Sequence, residues 1–404
     1  MVSPGTGQFS NFCPMLQIIS VLLHAYLAAR LVPVLLQWPA TAAALLLMLA
    51  VTLWRMPMGI GLHGLGSKIG TRQFSSGRGT THWLVMLGWL GMGWFSSLLV
   101  LTLLRDVGLL ALLALEWLVP QSVGLFSAVL QRDSALAVWM LSLIVTLWGF
   151  AGARRTAAVV EVNVPITGLP AALDGFRIVQ ISDIHVGPTI RSEYLQRVVT
   201  AVNALDADMV AITGDLVDGS VAELQADIAP LAQLRSRHGS FFVTGNHEYY
   251  SGAPAWVAEL RRLGVTVLMN QHQVLQHGTA SAVVGGVTDY GAARFEAAQR
   301  SDPAQAIAGA PASAGVRILL AHQPRSAHAA LTAGFDLQLS GHTHGGQFLP
   351  WNFFVRLQQP FVAGLDRLGA LLVYTSRGTG YWGPPKRFGA PSEITLLRLI
   401  RGSP

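Results

Sequence analysis

The stretch Arg177-Ile-Val-Gln-Ile-Ser-Asp-Ile-His185 reads as a buried β-strand, Arg177 to Ser182, that stops at two side chains able to hold a cation, Asp183 and His185. A short run of β-branched residues bounded by polar turn formers is strand grammar. Reactive groups just past the C-terminal end of such a strand are where open α/β sheets keep their ligands. The same pattern recurs downstream, predicting strands over 209–213, 240–244, 281–287, 316–321, 336–339, 371–375 and 393–399. Amphipathic helical stretches lie between the strands, at 192–205 and 221–234. An α/β domain is therefore expected over residues 156–404, with the Ala, Pro and Ser-rich segment 299–315 as a surface loop or insertion.

Before residue 156 the pattern is different. The 404 residues are 51% hydrophobic and only 12% charged, too apolar for an ordinary soluble protein of two or three domains. Residues 1–156 hold nine Lys/Arg and three Asp/Glu, and the remainder holds eighteen of each, so the whole net charge of +6 sits in the apolar part. A formally neutral second part argues against nucleic acid as a partner. The runs 15–36, 40–54, 83–104 and 135–150 are candidate spanning helices, which makes 1–155 a helical transmembrane region of about four spans with the lipid bilayer as its partner. The segment 107–130 carries Glu116 and Pro120-Gln121 and reads either as an interfacial or re-entrant hairpin or as a fifth span. Arg55, Lys68, Arg72, Arg78 and the pair Arg154-Arg155 put their flanks in the cytoplasm by the positive-inside rule, and the second domain with them. Arg105-Asp106 is expected as an interfacial ion pair, and His24 as a lone intramembrane histidine. A single cysteine, Cys13, excludes an internal disulfide framework, and usage rich in Ala, Gly and Arg with two lysines fits a GC-rich bacterial genome and hence a bacterial inner membrane.

Five pieces carry the chemistry: Asp183-Ile-His185, Gly214-Asp215-Leu-Val-Asp218, Gly245-Asn246-His247-Glu248, His322, and Gly341-His342-Thr343-His344-Gly345-Gly346. Asp, Asn and His without thiolate are hard to borderline donors that suit Mn²⁺, Fe or Zn²⁺. Two ions about 3.5–4 Å apart can activate water, polarise phosphoryl oxygens and stabilise an in-line displacement. Gly214, Gly245 and Gly341 each precede a candidate ligand, and their expected task is the tight turn that aims it. The other histidines, His238, His272, His277 and His328, have no motif context and are expected at the surface.

In this order the pieces resemble the pattern DxH, GDxxD, GNH(E/D), H and GHxH of the calcineurin-like metallophosphoesterase superfamily, over roughly Phe176 to Glu393. With the apolar N-terminal runs, the chain is similar to the membrane-bound bacterial branch, some of whose members are UDP-2,3-diacylglucosamine pyrophosphatases. The resemblance implies a four-layer αββα sandwich and two divalent metal ions, with Mn²⁺ as the first choice and Zn²⁺ or Fe as others. It implies that Asp183, His185 and His344 bind one ion, that Asn246, His322 and His342 bind the other, and that Asp215 bridges. By the same resemblance His247 protonates the leaving oxygen, while Asp218 and Glu248 orient ligands or His247.

For substrate, Phe348, Trp351, Phe353 and Phe354 follow the last motif and read either as an acyl-chain contact or as a core flap. Arg377, Lys386 or Arg387 are candidates to hold a second phosphate or a lipid headgroup. The leading expectation is hydrolysis of a lipid-linked or nucleotide-linked phosphate ester or anhydride at the membrane. A tethered phosphodiesterase for soluble substrates and a non-catalytic scaffold of the same fold are the alternatives.

Overall fold

The computed structural model describes residues 12–64, 80–119 and 128–402, and contact density divides the chain into two units. The first holds residues 1–151 with Gly383–Lys386, and the second holds Gly152–Trp382 with Arg387–Pro404.

The first unit is built on helices α1 (Phe12–Leu35), α2 (Pro39–Gly64), α3 (Thr80–Leu118) and α4 (Ala128–Arg154), the last of which runs on into the second unit. Three helical segments, Gln17–Leu35, Met86–Leu118 and Ala128–Arg154, are long and apolar enough to cross a membrane. The apolar part of α2, Pro39–Trp54, is shorter. At 1.5 Å per residue it reaches about 24 Å, within a helix of 26 residues. Residues 107–118 of the segment read as a hairpin or a fifth span continue α3 instead, which runs through Arg105-Asp106 to Leu118 and ends two residues before Pro120, as helices do. Pro120 and Gln121, like Lys68, Arg72 and Arg78, lie outside the described residues.

Several buried polar groups among the described residues of this unit are paired. His24 has partners after all, Ser20 O at 2.7 Å and Thr52 Oγ1 at 2.9 Å, and its ring stacks on Phe95 at 4.1 Å. Arg105-Asp106 forms the expected ion pair at 3.0 Å, joined by Arg30 at 2.6 Å and the Tyr26 hydroxyl at 2.8 Å from Asp106.

The second unit is a four-layer αββα sandwich. Its first sheet has the order β1-β12-β2-β3-β4-β5, with β1 Ala158–Thr167, β12 Glu393–Gly402, β2 Arg177–Ile181, β3 Met209–Ile212, β4 Ser240–Phe242 and β5 Thr266–Val267. Its second has the order β10-β11-β9-β8-β7-β6, with β10 Gly364–Leu368, β11 Leu371–Thr375, β9 Leu337–Ser340, β8 Val316–Leu320, β7 Ala280–Gly286 and β6 Gln271–His277. The pairs β2/β3, β3/β4, β7/β8 and β8/β9 are parallel, whereas β12/β2, β10/β11 and β6/β7 are antiparallel.

Alternate residues of the central strands serve different layers, as the two-residue period requires. Ile178, Met209, Ala211 and Phe241 meet Ala282, Val284, Ile318, Leu337 and Tyr374 between the sheets. Val179, Ile181, Val210, Ile212 and Phe242 face outward onto helices α5 (Ser192–Asn203), α6 (Val221–Ile228) and α8 (Ala253–Arg262), the last preceded by the short helix α7 (Asn246–Ser251). Both faces being covered, these strands read as continuous apolar runs. The outer face of the second sheet packs on helices α9 (Pro303–Ile307) and α10 (Ala327–Thr332). Helix α9 corrects the loop expected over 299–315, since its buried Pro303 and Ala306 tie the segment to the core.

The peripheral strands β1, β5, β6 and β10 escaped the sequence reading. Gln271-His-Gln-Val-Leu-Gln-His277 is too polar to look like a strand, yet β6 lies at a sheet edge with one exposed face.

Candidate metal centre

Five parallel strands deliver the motif residues. Asp183 and His185 follow β2, Asp215 follows β3, Asn246 and His247 follow β4, His322 follows β8, and His342 and His344 follow β9. Both sheets thus contribute, each from the C-terminal ends of its central strands. Backbone bonds tie the loops together: Asp183 N–H donates to Gly214 O (3.0 Å), His185 N–H to Asp215 O (3.1 Å) and Gly341 N–H to His322 O (2.9 Å).

The side chains form two groups linked through His185 and Asp215. Asp183, His185 and His344 make one, with His185 Nε2 and His344 Nε2 3.1 Å apart and His344 Nε2 3.4 Å from Asp183 Oδ1. Asp215, His322 and His342 make the other, with His322 Nε2 3.2 Å from both Asp215 Oδ2 and His342 Nδ1. Between them, Asp215 Oδ2 is 3.9 Å from His185 Nε2 and 3.9 Å from His247 Nε2. His322 Nδ1 donates to Thr213 O at 2.8 Å, so its Nε2 lone pair is turned toward the Asp215 carboxylate. Asn246 Oδ1 is buried with no hydrogen-bond partner.

A buried carbonyl oxygen without a donor costs about 1–3 kcal/mol. Lone pairs of imidazole and carboxylate facing one another require a positive charge between them. The donor set and the orphan oxygen therefore fit divalent cations, and the clustered His and Asp residues form a candidate dinuclear metal site. Burial opposes charge on His322 and His247, yet Asp215 and its neighbouring carboxylates raise His322 well above its usual value and His247 to about 9. Burial, reinforced by His322, lowers His342 to about 3. Burial would raise Asp215, but His322, His247 and His185 hold it well below the usual carboxylate range.

Asp218 and Glu248 do different work. Asp218 Oδ1 accepts from His185 Nδ1 at 3.1 Å and from His247 Nδ1 at 2.5 Å, so one carboxylate fixes the tautomer of both rings and leaves each Nε2 facing the cluster. Glu248 touches backbone rather than rings: it accepts from the N–H of Gly245 (2.6 Å), Asp215 (3.0 Å) and Leu216 (2.8 Å), clamping the loop after β3 to the start of α7. Burial, with Asp215 adding to it, raises the Glu248 carboxyl to about 7.

The motif glycines act mainly by lacking a side chain. Gly214 has φ +88°, the left-handed turn expected of it. Gly245 and Gly341 do not. A Cβ on Gly245 would lie 2.2 Å from Asp215 Oδ1, and one on Gly341 would lie 2.1 Å from Asp183 Oδ2, so these glycines make room for the carboxylates. The left-handed conformations belong to the ligand residues, with φ of +52° at Asp183, +55° at His185, +50° at Asp215, +70° at His342 and +51° at His344. For residues with a Cβ such conformations cost of order 1–3 kcal/mol each, and strain of this kind collects at functional sites.

The candidate substrate residues part ways. Trp351 and Phe353 stand exposed on a short helix, α11 (Trp351–Val355), with Phe354, whereas Phe348 is buried, so of the four aromatics Phe348 alone packs into the core. Helix α11 is seated against the His344–Gly346 turn, where Gly346 would bring a Cβ within 2.3 Å of the Asn352 backbone. Arg377 is half-exposed, held to Glu393 at 2.7 Å, and lies against Gly345. Arg387 is corrected from anion binder to strut. It is fully buried and donates to the carbonyls of Gly380 (3.0 Å), His344 (2.9 Å) and Arg377 (2.7 Å) and to His344 Nδ1 (3.0 Å), which leaves its guanidinium no face for a phosphate. Lys386 belongs to the first unit, where its ammonium bonds Gly93 O at 2.9 Å and Ser97 Oγ.

Sequence reasoning missed residues that lack a motif. Tyr250 and Trp382 flank His247 with ring centroids at 5.2 and 6.2 Å. Asp289 adds a buried carboxylate that favours charge on His322 and is held by Gln323 at 2.9 Å. His238 and His277, expected at the surface, are half-buried and converge on Asp208. His328 is exposed, as expected.

Residues 176–346 match the family described as calcineurin-like phosphoesterase. The chain is 39% identical over 298 residues to "Transmembrane protein with metallophosphoesterase domain" of Bos taurus, covering 70% of this chain and 67% of that one. It is 37% identical over 275 residues to the protein of the same name in Danio rerio, covering 66% and 63%. With an uncharacterized metallophosphoesterase of Campylobacter jejuni the identity is 35% over 282 residues, covering 68% and 71%. The chain thus spans about two thirds of the length of these relatives.

Proposed function

This chain belongs to the calcineurin-like phosphoesterases, and from that premise we propose that it is a membrane-anchored phosphohydrolase dependent on two divalent metal ions. The observation that carries the reading is the orphaned Asn246 Oδ1 beside imidazole nitrogens and carboxylate oxygens that converge at ligand spacing. Asp183, His185 and His344 would hold one ion, Asn246, His322 and His342 the other, with Asp215 between. Bound there, the ions would supply Lewis acidity toward a phosphoryl group and activate water at neutral pH.

The chain's own groups do the rest. His247 is assigned the proton for the leaving oxygen: Asp218 fixes its Nδ1 at 2.5 Å and leaves Nε2 facing the cluster. A general acid must be oriented before its pKa matters, and this hydrogen bond orients it. Helix α11 carries exposed Trp351, Phe353 and Phe354 next to the metal loop. That supports a lipid-linked phosphate ester or anhydride as substrate, with UDP-2,3-diacylglucosamine the first compound to try. Arg377, the cation of the candidate set that remains half-exposed near Gly345, would contact a second phosphate. The helical unit would anchor the chain in a bacterial inner membrane with the second unit in the cytoplasm.

The test is hydrolysis of bis(p-nitrophenyl) phosphate and UDP-2,3-diacylglucosamine by detergent-purified protein, stripped of metal and resupplied with Mn²⁺ or Zn²⁺, beside Asp215→Ala and His247→Ala. Metal-restored turnover that both variants lose is the expected result. Preference for the lipid nucleotide selects the lipid-linked reading, and preference for the soluble diester selects a tethered phosphodiesterase. Folded protein that hydrolyses neither compound with either metal sinks the proposal.

A further inference from the structure

We infer that Asp208, His238 and His277 form a third metal site, for a single borderline divalent cation such as Zn²⁺, Co²⁺ or Ni²⁺, at the end of the sandwich opposite the dinuclear cluster. Asp208 immediately precedes β3, His238 precedes β4 and His277 closes β6. The four residues of β3 alone put about 13 Å between Asp208 and the loop that bears Asp215.

The donor atoms already stand at ligand spacing. His238 Nε2 and His277 Nδ1 are 3.1 Å apart, His277 Nδ1 and Asp208 Oδ1 are 3.7 Å apart, and all three atoms fall within 4.8 Å of one another. Tetrahedral Zn²⁺ with bonds of about 2.0–2.1 Å places its donors about 3.3 Å apart. A single proton bridging the two rings would satisfy that pair and leave the nearby carboxylate oxygen outside hydrogen-bond distance of His277. A divalent cation answers to all three.

The scaffold is set independently of any ion. Asp208 Oδ2 accepts from the Arg177 N–H at 2.8 Å, which leaves Oδ1 turned to His277. The His238 N–H donates to Asp208 O at 2.8 Å. Phe176 stacks on His238 at 5.9 Å and meets His277 edge-on at 5.0 Å, limiting rotation of both rings.

Two histidines and one carboxylate are a borderline donor set, which excludes Ca²⁺ and Mg²⁺ as preferred guests. Asp208 and His238 belong to the first sheet and His277 to the second, so an ion here would staple the two sheets at the edge that the dinuclear cluster does not reach.

The experiment compares zinc content, by mass spectrometry of the metal, in the full-length detergent-purified chain and in His277→Ala, His238→Gln and Asp208→Asn after chelation, Zn²⁺ loading and desalting. Wild type is expected to retain one equivalent more than each variant that keeps the wild-type circular dichroism spectrum, and to lose a Zn²⁺-dependent rise in melting temperature when any one is changed. The readout is a difference, so it stands whatever the dinuclear cluster retains or hydrolyses. Equal zinc content in wild type and in the folded variants overturns the site.

Discussion

Asp218 holds His185 and His247 through one oxygen atom, so a single carboxylate governs both a candidate ligand and the candidate acid. Asp218→Asn keeps the shape and loses the charge, and should lower metal affinity or turnover about 10–100-fold while the melting curve stays near wild type. Unchanged metal affinity and unchanged turnover together would show that the tautomers are set by something else. At Gly245 the relevant atom is one the residue lacks: a methyl group would occupy the space of Asp215 Oδ1. Gly245→Ala should therefore reduce the metal content of a folded chain below two ions, read by the same mass spectrometry, and retention of both ions would remove the steric account. Motif spacing alone identified these positions, since Asp, His, Asn and Gly in that order have few other uses. It could not tell a glycine that turns the chain from one that makes room, because that difference is a matter of which neighbour folds against it.

At the level of elements, the central strands were legible because burial on both faces leaves a continuous apolar run, as in Met209–Ile212. Edge strands such as β6 were not, since one exposed face removes the signal. Helix α3 shows the converse: the ion pair Arg105-Asp106 looked like an interface where a helix should stop, but a charge pair whose partners lie on neighbouring helices does not interrupt the backbone ladder. Helix α11 supplies a prediction of its own scale. Phe353 is 69% exposed and Trp351 40%, and burying one such ring stabilises a complex by about 1.5–3 kcal/mol, a factor of roughly ten or more. Trp351→Ser and Phe353→Ser should each raise the KM for a micellar lipid substrate about tenfold and leave the soluble diester within roughly twofold. Equal effects on both substrates would return α11 to a purely structural role.

Across the whole molecule the two units obey different solvents. Three helices long and apolar enough to cross a membrane predict that the full chain stays in the membrane pellet through alkaline carbonate and is released by detergent. Recovery in the carbonate supernatant would show that these helices do not span. The charge asymmetry pointed to this division, but it did not reveal that Gly383–Lys386, far along in sequence, belongs to the helical unit.

The sequence by itself determined that long apolar helices, described at 12–64, 80–118 and 128–154, precede an α/β domain, because hydrophobic periodicity is written locally. It also determined the donor chemistry of the candidate centre, because the motif residues follow strand ends that local pattern locates. Tertiary structure alone decided that Arg387 is a strut and Lys386 an internal donor, for a cation's role depends on which acceptors surround it. It alone brought Asp208, His238 and His277 to one point, since residues tens of positions apart meet only when two sheets close on each other.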